Sequence, residues 1–142
     1  MQGDFATGYD HRIDGAGRIN LPAQHRRAVP GGSLWVVQLH RDFLTLYTAE
    51  GFEALKERLT AYRLQGPKQA RAYRKAFGSA TPLEVDATGR VLIPKKLREK
   101  CGLAGIVKVL GAGNRIELWN LDRYNEVVGD DFEDVDIPED IF

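Results

Sequence analysis

Apolar residues along the chain recur with two different periods, and both halves of the chain show the same succession of these periods. Short runs rich in β-branched and aromatic residues predict strands over residues 8–13, 18–21, 34–39, 43–47, 83–85, 90–93, 106–110 and 115–119. Apolar residues at helical spacing predict helices over residues 23–29 and 52–62, from residue 67 onward, and over residues 94–101 and 121–128. The order in each half is β-β-α-β-β-α, which predicts an α+β protein.

The residue identities repeat as well, at an offset of 72 positions. Residues 14–22, DGAGRINLP, recur as residues 86–94, DATGRVLIP. The match extends without a gap to Phe5 and Phe77, Arg26 and Arg98, Leu34 and Ile106, Leu46 and Leu118, and Phe52 and Tyr124. A repeat of this length makes each half one structural unit and predicts a pseudo-twofold molecule, in which any surface built by one half is present twice.

The two halves are predicted to depend on each other. Residues 5–50 form the first half, residues 51–76 the bridging helices, residues 77–128 the second half, and residues 129–142 an acidic, disordered tail. Neither half contains enough strand to close a sheet alone, so we expect the two to interleave into one small barrel. Two glycines in residues 14–17 favour a tight hairpin turn between the strands at 8–13 and 18–21.

The formal net charge of zero conceals a strong asymmetry. From Glu117 onward, ten acidic residues face a single basic one, Arg123, so this part carries −9. Residues 1–116 hold nineteen basic and ten acidic residues and carry +9. A basic body of this kind favours a polyanionic partner. The acidic end is expected to be solvated and disordered, or else to contact the basic surface of its own or a neighbouring subunit.

The sequence lacks the features expected of a membrane or secreted protein. It has no apolar run near the length of about 18 residues that a membrane span needs. Its first residues lack the basic and apolar pattern of a secretion signal. Cys101 is the single cysteine, so no intrachain disulfide forms, which fits a cytoplasmic location. We expect its side chain in the core.

An enzyme is disfavoured for similar reasons. The histidines His11, His25 and His40 lack the spacing of metal ligands. The pair Gly111 and Gly113 lacks the third glycine and the Lys-Ser/Thr of a phosphate-binding loop, and favours a hairpin turn. We therefore expect no catalytic residue, no metal, no cofactor and no small-molecule substrate.

The repeated motif admits two interpretations. A carboxylate at the head of a glycine-rich turn accepts backbone amides within it, and Arg18 is close to Asp14 across that turn. The pairs Asp14–Arg18 and Asp86–Arg90 could therefore serve only to fix the shape of each turn. Alternatively, two rigid, twofold-related turns each present a guanidinium to double-stranded DNA. Arginine suits that role because it bridges phosphate oxygens or donates two hydrogen bonds to guanine in the major groove.

Three features favour the DNA-binding interpretation. The Asp–Arg pair is retained in both halves, and a twofold pair of rigid turns suits a duplex. Basic residues also lie nearby in the sequence, where contacts with phosphates would position the protein; they are Arg12, Arg26, Arg27, Lys95, Lys96 and Arg98. The candidate DNA-binding site thus consists of Arg18 and Arg90, with Asp14 and Asp86 shaping the turns that carry them.

The sequence resembles the MraZ family, a tandem pair of domains similar to the AbrB and SpoVT transcription-factor module. The resemblance covers about residues 5–128. In the second half it is carried by residues 86–103, DATGRVLIPKKLREKCGL, and by residues 111–119, GAGNRIELW. The first half carries DGAGRINLP at residues 14–22.

The resemblance implies a swapped double-split β-barrel with bridging helices, in which the Asp-x-x-x-Arg motif of each half faces DNA. It also implies a ring-shaped homo-oligomer associated with the nucleoid. Its function would be regulation, expected to be repression, of a cell-division and cell-wall gene cluster through promoter repeats. Several weakly basic turns on one face of a ring gain affinity through effective concentration, by about 10²–10⁴-fold.

A pure interaction module remains as an alternative. Single-repeat relatives of this fold serve as antitoxins whose tail binds the partner, and a scaffold role is a related possibility. The acidic tail here offers apolar anchors, Ile137, Ile141 and Phe142. The tandem repeat and the long bridging helices favour the DNA-binding regulator instead.

Overall fold

A computed structural model describes residues 4–29, 32–131 and 137–142 of the chain. Its strands are β1 (Gly8–Ile13), β2 (Arg18–Asn20), β3 (Ser33–Val37), β4 (Phe43–Tyr47), β5 (Thr81–Glu84), β6 (Arg90–Leu92), β7 (Gly105–Gly111) and β8 (Ile116–Asn120). Its α-helices are α1 (Ala23–Arg27), α2 (Ala49–Arg63), α3 (Pro67–Ser79), α4 (Lys95–Lys100) and α5 (Leu121–Val127). The predicted α+β class and the order of elements in each half are confirmed.

Strands of both halves share one antiparallel sheet, in the order β1-β7-β8-β4-β3-β5. The first strand of each half leaves its own half, because β1 pairs with β7 and β5 pairs with β3. The remaining strands, β2 and β6, form a separate antiparallel ribbon, again one strand from each half. The two halves are therefore interleaved, as the shortage of strand in either half predicted.

The strand registers obey the internal twofold symmetry. Thr45 lies opposite Glu117 in the β4–β8 pair, and Ile19 lies opposite Val91 in the β2–β6 ribbon. The two members of each pair are 72 positions apart in the sequence, which is the repeat offset. Each pair thus consists of two symmetry-related residues, so the pseudo-twofold axis passes through both pairs.

The two glycine-rich turns form, but the strands on either side of each turn do not pair with one another. In the first turn, Gly17 N donates to Asp14 O and Asp14 N donates to Arg18 O, both at 3.0 Å. Beyond these bonds β1 continues along β7 and β2 along β6, so the predicted hairpin over residues 8–21 was wrong. The signal for a tight turn is local, whereas a strand's partner depends on the apolar surface that pairing buries.

The main hydrophobic core joins the six-stranded sheet to the ribbon. Ile19 and Val91 contribute from the ribbon, and each is 1% exposed. Cys101 lies in the same core, as predicted, and burial raises the pKa of its thiol to about 11. The thiol is therefore protonated at neutral pH and is a poor nucleophile.

The bridging helices α2 and α3 pack against β3 and β4 around a second apolar cluster. Phe52 and Leu55 of α2 are buried there, and Trp35 stacks on Phe52 with ring centroids 4.3 Å apart. The predicted apolar stripe of α2 is not buried along the whole helix. Tyr62, in its last turn, is 40% exposed. The first half of α2 therefore supplies most of the contact with the sheet.

Local signals placed most helix starts correctly. Pro22 and Pro94 directly precede α1 and α4, where a residue without an amide proton costs no intrahelical bond. The side chain of Asn120 accepts from Arg123 N at 3.0 Å, which confirms the predicted N-cap of α5.

In the part of the tail that the structure describes, Glu139–Ile141 form a 3₁₀ turn. The side chains of Ile137, Ile141 and Phe142 are 56%, 71% and 88% exposed. The prediction of disorder for the tail includes residues 132–136, which lie outside the described residues. The predicted domain limits stay a prediction.

Candidate nucleic-acid interface

The β2–β6 ribbon turns one face to the core and the other to solvent. Successive side chains of a strand point to opposite faces, and the buried Ile19 and Val91 occupy the inner face. The outer face, called the ribbon face below, carries Arg18, Asn20, Arg90 and Leu92. The arginines of the two repeated motifs therefore lie on the same face of one ribbon.

The two arginines are also close to each other and accessible. Arg18 lies opposite Leu92 and Arg90 lies opposite Asn20, so the arginines are diagonal neighbours in the register. Such neighbours are separated by roughly 7–8 Å between Cα atoms. The side chains of Arg18 and Arg90 are 46% and 37% exposed. One ligand can therefore reach both guanidiniums from the same side.

In the first turn, Asp14 organises the backbone and holds the arginine. Its Oδ1 accepts from Ala16 N at 3.0 Å and from Arg18 N at 2.9 Å. Its Oδ2 accepts from Arg18 Nε at 2.9 Å. The amide of Arg18 is the largest cause that lowers the pKa of Asp14 below its ordinary value, so the carboxylate is ionised at neutral pH.

The second turn repeats this arrangement around Asp86. Its Oδ1 accepts from the amides of Thr88 and Arg90, both at 2.9 Å, and also from Thr88 Oγ1 at 2.8 Å. Its Oδ2 accepts from Arg90 Nε at 3.1 Å. The amide of Arg90, followed by the Thr88 hydroxyl, lowers the pKa of Asp86 to about 2. The extra hydroxyl bond is a difference between the two otherwise equivalent turns.

The carboxylates leave the outer ends of both guanidiniums available. In each arginine the Nε group is bonded to the aspartate, and within the described residues Nη1 and Nη2 make no hydrogen bond. Asp14 and Asp86 thus fix the direction of the arginine side chains while the terminal amino groups keep their donors. The two interpretations of the motif are compatible, because fixing the turn also orients the guanidinium.

Two further arginines lie against the turns of the opposite halves. Arg98 of α4 donates to Ile93 O at 2.9 Å and to Ala16 O at 3.2 Å. A side chain at Gly17, whose φ is 96°, would overlap the Arg98 guanidinium. Arg26 of α1 lies against Gly89 in the symmetry-related way. These contacts between halves were not predicted from the sequence.

The other predicted phosphate contacts lie in different places. Arg12 is exposed on β1 and Arg27 is exposed at the end of α1. Lys95 is 79% exposed and 3.9 Å from Glu99. Lys96 lines a cleft of about 940 Å³ together with Lys75 and Lys100. The structure does not bring these four side chains into the ribbon face, and their predicted role is untested.

Two residues of the ribbon face, Asn20 and Leu92, were not predicted as site residues. Both side chains are exposed, Leu92 to 55%. They alternate along the strands with the buried Ile19 and Val91, and that two-residue period was a signal available in the sequence.

The described residues contain no group of three or more His, Cys, Asp or Glu side chains placed to hold a metal ion. Nor does any helix within those ranges have the length and apolar character needed to cross a lipid bilayer.

His25 is fully buried, and its Nε2 lies 3.0 Å from Ala6 O.

The fold and the site together define a tandem-repeat protein whose halves jointly present two arginine-bearing turns. A family model described as "MraZ protein, putative antitoxin-like" matches residues 5–75 and 76–135. The chain belongs to the MraZ family.

Individual relatives agree with this assignment. The chain is 37% identical to a transcriptional regulator MraZ of Heliobacterium modesticaldum over 136 residues, which is 92% of this chain and 93% of the relative. It is 36% identical to a transcriptional regulator MraZ of Chromobacterium violaceum over 121 residues, which is 83% and 82% of the two chains. The family resemblance is thereby confirmed, and the family is one of transcriptional regulators, not of enzymes.

A looser match is the solution structure of a Pyrococcus horikoshii protein. It is 17% identical, covers 82% of this chain and 97% of its own, and has a TM-score of 0.36. That similarity is too weak to indicate a shared fold.

Proposed function

We propose that the protein is a sequence-specific regulator of transcription that binds double-stranded DNA through the ribbon face. The observation that carries the proposal is the placement of Arg18 and Arg90, which lie exposed on the same face of one two-stranded ribbon. The major groove of B-DNA admits a two-stranded β-ribbon. The hydrogen-bonded pair of arginine with guanine O6 and N7 is among the commonest specific contacts there.

The aspartates lower the entropic cost of the contact between each arginine and guanine. A free arginine side chain loses rotamer freedom when it binds. Here the Asp14 and Asp86 carboxylates already hold the Nε group of each arginine. Less ordering is then needed on binding, and the free Nη1 and Nη2 donors meet the O6 and N7 acceptors of guanine.

Phosphate contacts add affinity that does not depend on sequence. In the proposal, Arg12, Arg26, Arg27, Lys95, Lys96 and Arg98 neutralise backbone phosphates near the ribbon. Arg26 and Arg98 have a second role, because each also supports the turn of the opposite half. The basic body of the chain, +9 over residues 1–116, supports the same electrostatic mechanism.

The finer features of the proposal come from the family. They are a swapped double-split β-barrel, a ring-shaped homo-oligomer, and repression of a cell-division and cell-wall gene cluster through promoter repeats. A cytoplasmic, nucleoid-associated location follows from DNA as the partner. In a ring, several ribbon faces would bind adjacent repeats, and effective concentration would multiply their affinities.

The test is a fluorescence-anisotropy titration of the pure protein with the DNA upstream of its own gene. A scrambled duplex of the same length and composition is the control. We expect tighter binding to the upstream DNA and a steep loss of affinity with salt. If six cations contact phosphates, log K should fall with log salt at a slope of about −5. Equal affinity for both duplexes would contradict sequence-specific binding, and an affinity insensitive to salt would contradict the phosphate contacts.

A further inference from the structure

The pseudo-twofold symmetry of the molecule is broken on the ribbon face. Arg18 and Arg90 are symmetry mates, and so are the buried Ile19 and Val91. Asn20 and Leu92 are mates as well, since they are also 72 positions apart, but their chemistry differs. A polar amide on one side of the axis thus corresponds to an apolar side chain on the other.

This difference gives each arginine a distinct neighbour. Leu92 lies directly opposite Arg18, whereas Asn20 lies directly opposite Arg90. Residues that are directly opposite have Cβ atoms about 4.5–5.5 Å apart and project from the same face. The ribbon face therefore has an arginine–leucine side and an arginine–asparagine side.

The two side chains match different base edges in the major groove. An asparagine amide has one acceptor and two donors, and it pairs with N7 and N6 of adenine. A leucine side chain has no hydrogen-bond donor or acceptor, so next to a polar base edge it would leave the donors and acceptors of the base without partners. Its favourable contact in the groove is the C5-methyl group of thymine.

We propose that Asn20 and Leu92 make the ribbon face recognise an asymmetric DNA site. Adenine lies beside the guanine contacted by Arg90, and thymine lies beside the guanine contacted by Arg18. The molecule then binds each site in one orientation despite its internal twofold symmetry. This inference rests on the proposed function, because it assigns base preferences to the same face.

The test is selection of binding sites from randomised duplexes with the full-length parent and two exchange variants. Leu92→Asn makes both sides of the ribbon polar, and Asn20→Leu makes both sides apolar. The parent should select an asymmetric site. Leu92→Asn should select adenine on both sides, and Asn20→Leu should select thymine on both sides. Replacing the adenine in the parent's site should weaken parent binding by roughly 5- to 150-fold.

A control variant separates a local effect from a general one. Leu64→Asn makes the same chemical change at a side chain that is 79% exposed and follows α2, away from the ribbon strands. Its selected site should equal that of the parent, and all variants should melt within a few degrees of the parent.

The outcomes separate the inference from the proposed function. If parent and exchange variants all select one site, or if the parent selects a symmetric site, the inference is overturned while DNA binding stands. If the parent enriches no sequence over the starting pool, both are overturned.

Discussion

Removing both ribbon arginines, in an Arg18→Ala, Arg90→Ala double variant, is expected to weaken specific DNA binding strongly. A good two-pronged contact with a base contributes roughly 1–3 kcal/mol, so losing two should weaken binding between about 30-fold and 10⁴-fold. Either single variant should lose less, because the other guanidinium still contacts its base. Anisotropy titrations at one fixed salt concentration measure all three variants.

The fold of this double variant should survive. Arg18 and Arg90 are partly exposed, and exposed ion pairs contribute little to stability. The amide bonds to Asp14 and Asp86 do not involve the arginine side chains and remain. We expect a thermal unfolding midpoint close to that of the parent.

A matched variant controls for the loss of charge. Arg58→Ala, Arg71→Ala removes the same two charges from exposed positions on the bridging helices. It should keep nearly all the preference for the upstream duplex over the scrambled one. If the two double variants lose that preference equally, net charge rather than the ribbon face determines binding.

Replacing Gly111 with alanine is expected to cause a large loss of stability, although it adds only one methyl group. A Cβ at this position would overlap the backbone of Ala6. Gly111 N donates to Thr7 O at 2.8 Å, and the neighbouring Phe5 and Gly113 exchange two backbone bonds of 2.8 Å. A backbone overlap is not relieved by a change of rotamer, so one of the paired segments must move.

We estimate the cost of Gly111→Ala at about 3 kcal/mol in the free energy of unfolding. Urea unfolding followed by circular dichroism measures it. Gly15→Ala is the control, because a Cβ at Gly15 meets no atom within 4 Å. Gly15→Ala should change stability by less than about 1 kcal/mol. If the two variants are equally stable, the close approach of residues 5–7 to β7 does not exist in solution.

Much of the local structure followed from the sequence because its causes are local. The glycine turn headed by Asp14, the helix after Pro22 and the cap at Asn120 each depend on residues within a few positions. Strand pairing depends on residues that are far apart in the sequence. The two-residue period shows which side chains of β1 share its less exposed face, but it does not indicate that β1 lies beside β7. The predicted hairpin was wrong for that reason.

The geometry of the candidate site could be predicted only in part, for the same reason. Repetition of the motif identified Arg18 and Arg90 because both copies stand in the sequence. The contact between Arg98 and Ala16 joins residues 82 positions apart and arises only when the halves interleave. The sequence signal for this contact is that Arg26 and Arg98, like Gly17 and Gly89, repeat at the 72-residue offset.

In the proposed complex, both guanidiniums contact guanines in one major groove at the same time. The most direct measurement combines each single variant, Arg18→Ala and Arg90→Ala, with duplexes in which one guanine is replaced by 7-deazaguanine. This base lacks the N7 acceptor, so an arginine that contacts it shows a coupled, non-additive loss of affinity. We expect each arginine to couple to a different guanine, with the two guanines about two or three base pairs apart. Additive losses for every combination, or coupling to guanines a full helical turn apart, would contradict simultaneous contact in one groove.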